Sequence, residues 1–440
     1  MVLALLRAPG TVRRFLVISL QSSVGNAIGY VALLLLAYDR FRSPWAVSLV
    51  LLADFLPAIV LAPLFGALAD RYSRRLLTVG ADLLRAAAFV ALAFAGSFAA
   101  ILALAFVAGI GTALYHPAAK SALAGLAGPR GDVAMGALVT VWSAASVAGP
   151  ALATVLLLVL SPSSLLLVDA ATFFVSALVL SRLPLDRVET VPTVPRPVDV
   201  PQDGNLAIAA GELLPAQAGD APLAHGVRAG LRAARAVDGL SAVVGVGAAA
   251  TLAFSLMNVA EPLLATDELD AGGAGFALLV TLYGVGSTLG TMRGRPELGV
   301  LIASLAGGGL LLCASALAQS LPFAAATFLA TGLFAGAVMS SDHQLVARLA
   351  PAEIQGRVFG LKDSLDAIAF CAAFVVGGLI ASVSDSRVVF AVSGGGALLA
   401  AGLATVMLHR TRVAAAAPGV QRRGRQTGRR ARGARRPAGY

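Results

Sequence analysis

Twelve long apolar stretches divide this chain of 440 residues, and they constrain its fold more than any other feature. They begin near Phe15 and end near Leu408, and each has roughly 18 to 25 residues, the length of an α-helix that crosses the ~30 Å hydrocarbon core of a bilayer. Inside lipid each segment must satisfy its own backbone hydrogen bonds, which a helix does. The stretches also lack the ten-residue alternation of a membrane β-barrel. The sequence therefore predicts an all-α membrane protein with twelve transmembrane helices.

A proline-rich stretch separates these predicted helices into two groups of six. We place the spans at residues 14–37, 44–68, 77–96, 98–118, 134–160, 164–183, 240–264, 274–292, 298–318, 322–345, 359–382 and 387–408. Residues 1–183 and 237–408 then form two six-helix halves, an arrangement typical of parallel repeats. Residues 184–236 are a linker that is predicted to end in a short amphipathic helix, His225 to Val237. Residues 409–440 are an Arg-rich tail that is predicted to be disordered.

The placement of positive charge predicts the orientation of the chain. The sequence is 58% hydrophobic and 13% charged, with a formal net charge of +10. If the N-terminus is cytoplasmic, the outer loops contain only Arg40, Arg42 and Arg387, whereas the reverse orientation breaks the positive-inside rule. We therefore expect both termini in the cytoplasm of a cell that carries this protein in its plasma membrane. The tail is expected to contact anionic lipid. Only its charge supports the alternative of nucleic-acid binding, which we do not expect.

Cofactor and metal chemistry have no signal in the sequence. Cys313 and Cys371 both lie inside apolar spans and are interpreted as small core residues. No His/Cys cluster, nucleophile–base set or G-x-x-x-x-G-K-[ST] phosphate loop is present. We therefore expect neither a cofactor, a metal site, enzymatic activity nor direct use of ATP.

The loop between the second and third spans carries the most specific motif. It reads Gly66-Ala-Leu-Ala-Asp70-Arg71-Tyr-Ser-Arg74-Arg75. This resembles the loop pattern G-x-L-a-D-r-x-G-r-R/K of the major facilitator superfamily, with Ser73 in place of the second glycine. The resemblance implies that the loop latches the two halves on the cytoplasmic side, with the carboxylate facing the start of the eleventh span. In the third span, Asp82 and Arg85 match a D-x-x-R pattern and are expected to pair and to pack on this latch.

Further segments resemble one branch of that superfamily, the exporters that include enterobactin and macrolide efflux proteins. The resemblance covers roughly residues 10 to 408 and includes the segments that begin at Ser43, Tyr115, Val168 and Pro351. In the fifth span, Gly149 and Pro150 match a G-P-x-x-G-G antiporter motif, whose closing glycines are here Ala153 and Thr154. A Gly-Pro pair allows a helix to bend, and it favours export over import.

Ionisable residues inside apolar spans are the candidates for proton coupling, because such groups are costly in lipid. Asp54 is the deepest, Asp366 lies about two turns into the eleventh span, and Glu261 lies near the outer end of the seventh. Each has the alternative of a purely structural carboxylate. Asp342 and His343, near the cytoplasmic end of the tenth span, are weaker candidates.

Polar residues in the first, fourth and seventh spans are the candidates for the substrate cavity, where the resemblance places it. They are Gln21, Asn26, Thr112, Tyr115 and Asn258. So few fixed charges favour a large, mostly apolar compound that is neutral or weakly cationic.

These observations predict a secondary active transporter that exports a drug-like compound or a secondary metabolite by alternating access. The expected partners are the small-molecule substrate, protons and the lipid bilayer, and the chain is expected to be a monomer. Proton drive is implied by the resemblance. Two alternatives remain open: a lipid or lysolipid flippase on the same fold, and a non-transporting membrane scaffold whose tail recruits a partner.

Overall fold

The computed structural model describes residues 10–61, 64, 65, 68, 71–128, 131–186, 230–237 and 239–416, and all structural statements concern these residues. The helices are α1 Gly10–Phe41, α2 Pro44–Val60, α3 Arg74–Phe94, α4 Phe98–Ala127, α5 Gly131–Leu156, α6 Pro162–Leu180, α7 Leu240–Ser255 with Met257–Leu263 and the π turn Leu264–Glu268, α8 Gly272–Thr291, α9 Leu298–Ser315, α10 Leu321–Leu349, α11 Ala352–Val383 and α12 Ser386–Ala416. Residues 230–235 form one further helical turn.

The described helices are those of a protein that crosses a membrane many times. Eleven of them are long and apolar enough to span a bilayer, and α2 is a shorter apolar helix of 17 residues. Large apolar side chains such as Leu399, Leu403 and Val406 of α12 are exposed on the outside of the bundle, where lipid would cover them. The protein is therefore a multi-pass membrane protein.

Two predicted boundaries differ from the structure. The second span was expected to run to residue 68, but α2 ends at Val60, three residues after the internal Pro57, and Leu61 is a bend. The tail was expected to lack structure from residue 409, but α12 continues to Ala416, because a helix can extend past the apolar layer that hydropathy detects. Of the predicted linker helix, residues 225–229 lie outside the described residues.

Local sequence signals explain several helix starts. The side-chain oxygens of Ser73, Ser97 and Ser161 accept hydrogen bonds from the third residue of α3, α4 and α6 respectively. Pro44 and Pro162 occupy the first turn of their helices, where a missing N–H costs nothing. These starts fix where each helix re-enters the apolar layer.

The packing of α1–α6 recurs in α7–α12. In the first group α1 packs on α5 and α6, α4 packs on α2 and α3, and α3 packs on α6. The same pairs recur six helices later, with α7 on α11 and α12, α10 on α8 and α9, and α9 on α12. The main helix pairs that join the two groups are α5–α8 and α2–α11.

Glycines allow α8 and α10 to touch backbone to backbone. A Cβ at Gly286 would lie 2.9 Å from the backbone nitrogen of Leu333, and a Cβ at Gly332 would lie 2.9 Å from that of Ser287. Gly290 and Gly336 make equivalent approaches one turn further along each helix. In lipid, such small-residue contacts replace the hydrophobic effect as the force between helices.

The two ends of the bundle differ in how the helix groups meet. We call the end with Gly10 and Ala416 the terminal face, and the end with the α1–α2, α7–α8 and α11–α12 connections the opposite face. At the opposite face the Tyr38 hydroxyl donates a hydrogen bond to Asp267, which also faces Arg42 at 3.6 Å. Three contacts therefore join the groups there: this one, Gly378 of α11 against Ser48 of α2, and Gly273 of α8 against Leu35 of α1. These contacts hold the two helix groups together at the opposite face.

The α8–α10 contact gives a stability prediction. We expect Gly332→Ala to lower the stability of the folded bundle by about 1–3 kcal/mol, because the added Cβ forces two backbones apart. Gly299→Ala is the control, since a Cβ there meets nothing within 4 Å and alanine favours helix. The measurement is the temperature at which half of the detergent-purified protein stays monodisperse. Equal temperatures for the two variants would contradict the close contact.

Candidate functional site

A cavity of about 360 Å³ lies between the two helix groups. Its wall comes from α1, α5, α7, α8, α10 and α11, so both groups contribute to it, although α7–α12 contribute most of the lining. The α2–α11 contact lies beside it, where Phe55 packs edge-on against Phe370 with ring centroids 5.0 Å apart. Movement of the two helix groups relative to one another would therefore change access from solution to the cavity.

The cavity wall combines aromatic rings with polar groups. Tyr30 of α1, Phe254 of α7, Tyr283 of α8 and Phe370 of α11 line it together with small residues. Rings supply apolar surface and, for a cationic ligand, an attractive π face. Such a wall suits a compound with a large apolar body.

Glu261 is the carboxylate at the end of the cavity nearer the opposite face. It lies in the second segment of α7, immediately before Pro262, and is only 4% exposed. Glu261 makes no hydrogen bond or ion pair with any other described residue, yet it lines the cavity with Asn258 and the two tyrosines. A charge this deep in a membrane protein is costly unless a cation, a proton or water neutralises or solvates it.

A second charged group lies nearer the terminal face. The Nζ atom of Lys362 on α11 is 2.6 Å from Oδ2 of Asp342 on α10 and 2.6 Å from Oδ2 of Asp366, one turn along α11. Oδ1 of Asp366 accepts a hydrogen bond of 3.2 Å from Thr251 of α7. We call Asp342, Lys362 and Asp366 the Lys362 cluster. It joins three helices at the cavity wall.

The structure brings five of the predicted functional residues into the cavity wall. They are Asn258, Glu261 and Asp366, together with the weaker candidates Asp342 and His343. Gln21, Asn26, Thr112, Tyr115 and Asp54 are not among the described residues that do so. Tyr115 is buried beside Ser19 instead, with its hydroxyl 3.4 Å from the serine oxygen. Asp54 faces neighbouring helices of its own group, and α4 approaches its backbone at Gly109.

Asp82 and Arg85 form an ion pair inside the first helix group. Both are almost fully buried, and the guanidinium lies over the rings of Tyr115 and Phe173, 4.4 and 4.1 Å from their centroids. They were expected to pack on the α2–α3 loop, but their contacts are with α4 and α6. The aromatic faces and the aspartate together provide the attraction that a buried guanidinium needs.

The α2–α3 loop is described only in part. Gly66 and Asp70 lie outside the described residues. Arg71 and Arg75 are exposed and Arg74 is partly buried. Asp186, just after α6, accepts hydrogen bonds from the Ser73 hydroxyl at 3.0 Å and the Arg75 backbone N–H at 3.2 Å. The described part of the loop is thus fastened to its own helix group.

Gly149 and Pro150 lie within a continuous α5. A Cβ at Gly149 would lie 2.9 Å from the carbonyl oxygen of Val24, so this glycine allows α5 to approach α1 closely. The observed role of Gly149 is therefore packing within the first helix group, and a bend at this motif remains a prediction.

Asp342 and Asp366 were predicted as separate candidates from the sequence, but their shared contact with Lys362 and the two tyrosines of the cavity were not. The spacing of Lys362 and Asp366, one helical turn, was a visible signal for an ion pair. The convergence of Asp342 and Tyr283 on the same cavity depends on how α8, α10 and α11 are rotated. No local pattern in the sequence reports that rotation.

The comparisons with known proteins agree with this architecture. One curated relative, the uncharacterized MFS-type transporter YfiS of Bacillus subtilis (strain 168), is 26% identical over 383 residues, which are 85% of this chain and 87% of YfiS. Solved structures with the same fold include a mutant of the nucleoside transporter NupG (TM-score 0.69, 11% identity, 90% of this chain and all of that one). They also include an auto-inhibited POT family peptide transporter (TM-score 0.67, 15% identity, 91% and 97%) and the human organic anion transporter MFSD10, also called TETRAN (0.58, 18%, 90% and 100%).

The sequence profile of the Major Facilitator Superfamily matches residues 15–295 and, in a second alignment, residues 243–437. These matches extend over both helix groups and every helix that lines the cavity. The chain is therefore a membrane transporter that belongs to the Major Facilitator Superfamily.

Proposed function

We propose that this transporter exports small, largely apolar, weakly cationic compounds, such as drug-like molecules or secondary metabolites, in exchange for protons. The cavity between the helix groups binds the compound, and rocking of the two six-helix halves opens the cavity to each side of the membrane in turn. The observation that carries the proposal is Glu261, a buried carboxylate in the cavity wall with no partner among the described residues.

The charge of the cavity wall supports a cationic substrate. The carboxylates that line it are Glu261, Asp342, Asp363 and Asp366, and the ammonium group that lines it is Lys362. With these groups charged, the wall carries more negative than positive charge. An unpaired carboxylate beside aromatic rings attracts an ammonium group both by charge and by cation–π contact.

The energy source follows from what the chain offers. The sequence contains no phosphate loop for ATP, whereas it places ionisable side chains inside apolar helices, where groups that carry protons across membranes lie. A carboxylate that can hold either a proton or a substrate cation couples the two movements. Asp54 of α2, which is not among the described residues that line the cavity, is the alternative proton carrier.

The proposed export direction uses the orientation expected from the sequence, in which the positive-inside distribution of Lys and Arg makes the terminal face cytoplasmic. The bend motif at Gly149 and Pro150 is what favours export over import. With the contacts at Asp267, Gly378 and Gly273 on the outer side, this conformation is assigned to the state that loads substrate from the cytoplasm. The loop with Asp70, Arg71, Arg74 and Arg75 forms the latch that closes the cytoplasmic side in the other state.

The role of Glu261 gives the central prediction. We expect Glu261→Gln to reduce export of ethidium by at least tenfold, because an amide attracts neither a cation nor a proton. The measurement is ethidium accumulation in pump-deficient cells, with and without a protonophore, at matched protein levels in the membrane.

Glu297→Gln is the control for this variant. Glu297 is an exposed carboxylate that begins α9 at the terminal face, so its loss should leave export within twofold of wild type. Full protonophore-sensitive export by Glu261→Gln would contradict the proposal. If Asp54→Asn loses export while Glu261→Gln retains it, Asp54 of α2 is the proton carrier and Glu261 is not.

The contacts of Asp267 give a prediction about access from outside. In a chain with Cys313→Ser, Cys371→Ser and Asn258→Cys, we expect Asp267→Asn to increase labelling of position 258 by a membrane-impermeant thiol reagent several-fold. The amide loses the charge that holds Arg42 and weakens the hydrogen bond from Tyr38, so the outer side opens more often.

Asp385→Asn is the control for the access experiment, since Asp385 is exposed in the α11–α12 connection on the same face. Labelling rates that are equal in the Asp267→Asn and Asp385→Asn backgrounds would show that the Asp267 contacts do not close the cavity.

A further inference from the structure

The Lys362 cluster is built around one cation shared by two anions on different helices. The bond from Lys362 to Asp366 stays within α11, whereas the bond to Asp342 crosses to α10. Because α10 packs mainly on α8 and α9, this ion pair is a direct link from α10 to α11. Its strength therefore bears on how these two helices move relative to one another.

Gly247 of α7 makes the cross-helix pair possible. The Asp342 carboxylate lies against the α7 backbone at this residue, and a Cβ there would lie 2.8 Å from Cγ of Asp342. Any larger residue would push the carboxylate away from Lys362. Gly245, two residues earlier on the same helix, is exposed and a Cβ there meets nothing within 4 Å.

One oxygen of the cluster has no hydrogen-bond partner among the described residues. Asp342 is 3% exposed, its Oδ2 faces Lys362, and its buried Oδ1 accepts no hydrogen bond. Two carboxylates with one ammonium leave the cluster one negative charge in excess. An uncompensated buried charge is costly, so one further positive charge at the cluster would lower that cost.

Few other charged groups face Asp342. Lys362, Asp363 and Asp366 come from α11, and His343 is its neighbour on α10. The Nδ1 atom of His343 lies 2.9 Å from the Met339 carbonyl oxygen, and its ring stacks on Phe359. At this level the α7 residues in the cavity wall are the uncharged Gly247, Ala250 and Thr251, and α8 contributes the uncharged Ser287.

The cluster is well separated from Glu261. Thr251, which binds Asp366, and Glu261 are ten residues apart along α7, which corresponds to about 15 Å of helix rise. A substrate ammonium group at Glu261 therefore cannot also neutralise Asp342. The cavity holds two acidic sites at different depths.

We propose that the Lys362 cluster is a dedicated proton-binding site, separate from the Glu261 site that binds the substrate cation, and that Gly247 positions it. This inference rests on the proposed proton-coupled export. A proton on Oδ1 of Asp342 neutralises that carboxylate, and Lys362 then stays with Asp366 on its own helix. Proton binding thus releases α10 from α11, and this link adds a second route of coupling to the exchange of proton and substrate cation at Glu261.

The test uses purified protein in proteoliposomes with tetraphenylphosphonium as the probe. Three quantities are measured for each variant: equilibrium binding, counterflow without a gradient, and accumulation driven by a pH gradient. We expect Asp342→Asn to lower gradient-driven accumulation at least tenfold and counterflow by less than threefold. Glu261→Gln should lose binding and therefore all three.

Gly247→Ala keeps every charge and tests the geometry alone. Displacing Asp342 from Lys362 favours its protonated form, so half-maximal gradient-driven accumulation should move toward alkaline pH by at least about half a unit. Gly245→Ala should keep the wild-type pH profile. The comparison of Gly247→Ala with Gly245→Ala therefore tests the dedicated proton-binding site even if Asp342→Asn fails to fold.

The outcomes separate the two proposals. Accumulation by wild type that does not respond to a pH gradient, or that responds to a sodium gradient instead, overturns the proposed proton coupling. Proton-driven accumulation that survives in Asp342→Asn, an equal loss of counterflow and accumulation in that variant, or identical pH profiles for Gly247→Ala and Gly245→Ala, overturns the dedicated site while leaving proton-coupled export intact.

Discussion

The balance of charge inside a lipid-embedded bundle is the constraint on which this structure depends. Water cannot solvate a buried ion there, so each one needs a counter-charge, polar contacts or a cavity. Arg85 has Asp82 and two aromatic faces, and Lys362 has two aspartates. Glu261 lacks a partner among the described residues and faces the cavity instead. The functional proposal follows from this difference, because the unmatched carboxylate lies where a mobile cation can reach it.

Close helix contact is the second requirement, since lipid supplies no hydrophobic drive for helices to associate. Glycine residues allow this close contact where helices cross: Gly286 and Gly332 between α8 and α10, and Gly149 between α5 and α1. At Gly247 the absence of a side chain has a different consequence, because it makes room for the Asp342 carboxylate. A packing residue and a positioning residue thus look identical in sequence. Only what occupies the space beside each glycine distinguishes them.

The sequence predicts the helices well and the site only in part. Hydropathy locates every described long helix, because the thickness of the apolar layer sets span length, but it misplaces the ends of α2 and α12, which depend on Pro57 and on helix beyond the membrane. Glu261 and Asp366 are detectable individually, since an acid in an apolar span stands out. Gln21 and Tyr115 were assigned to the cavity but are not among the described residues that line it. Helices that are apolar on all sides carry little periodicity, so the face that each presents to the cavity is decided by packing.

The outer side must open during each transport cycle, and this can be tested by cross-linking the two helix groups on that side. Ser48 of α2 and Gly378 of α11 meet at the opposite face, and a Cβ at position 378 would lie 2.7 Å from that of Ser48. A chain with Ser48→Cys and Gly378→Cys, in a Cys313→Ser, Cys371→Ser background, should form a disulfide under mild oxidation once α2 and α11 separate by about 1 Å, which gives the ~3.8 Å between Cβ atoms that a disulfide needs. The measurement is ethidium export by the oxidised and then the reduced protein. The account predicts that export stops on oxidation and returns on reduction; undiminished export by the fully cross-linked protein would contradict it.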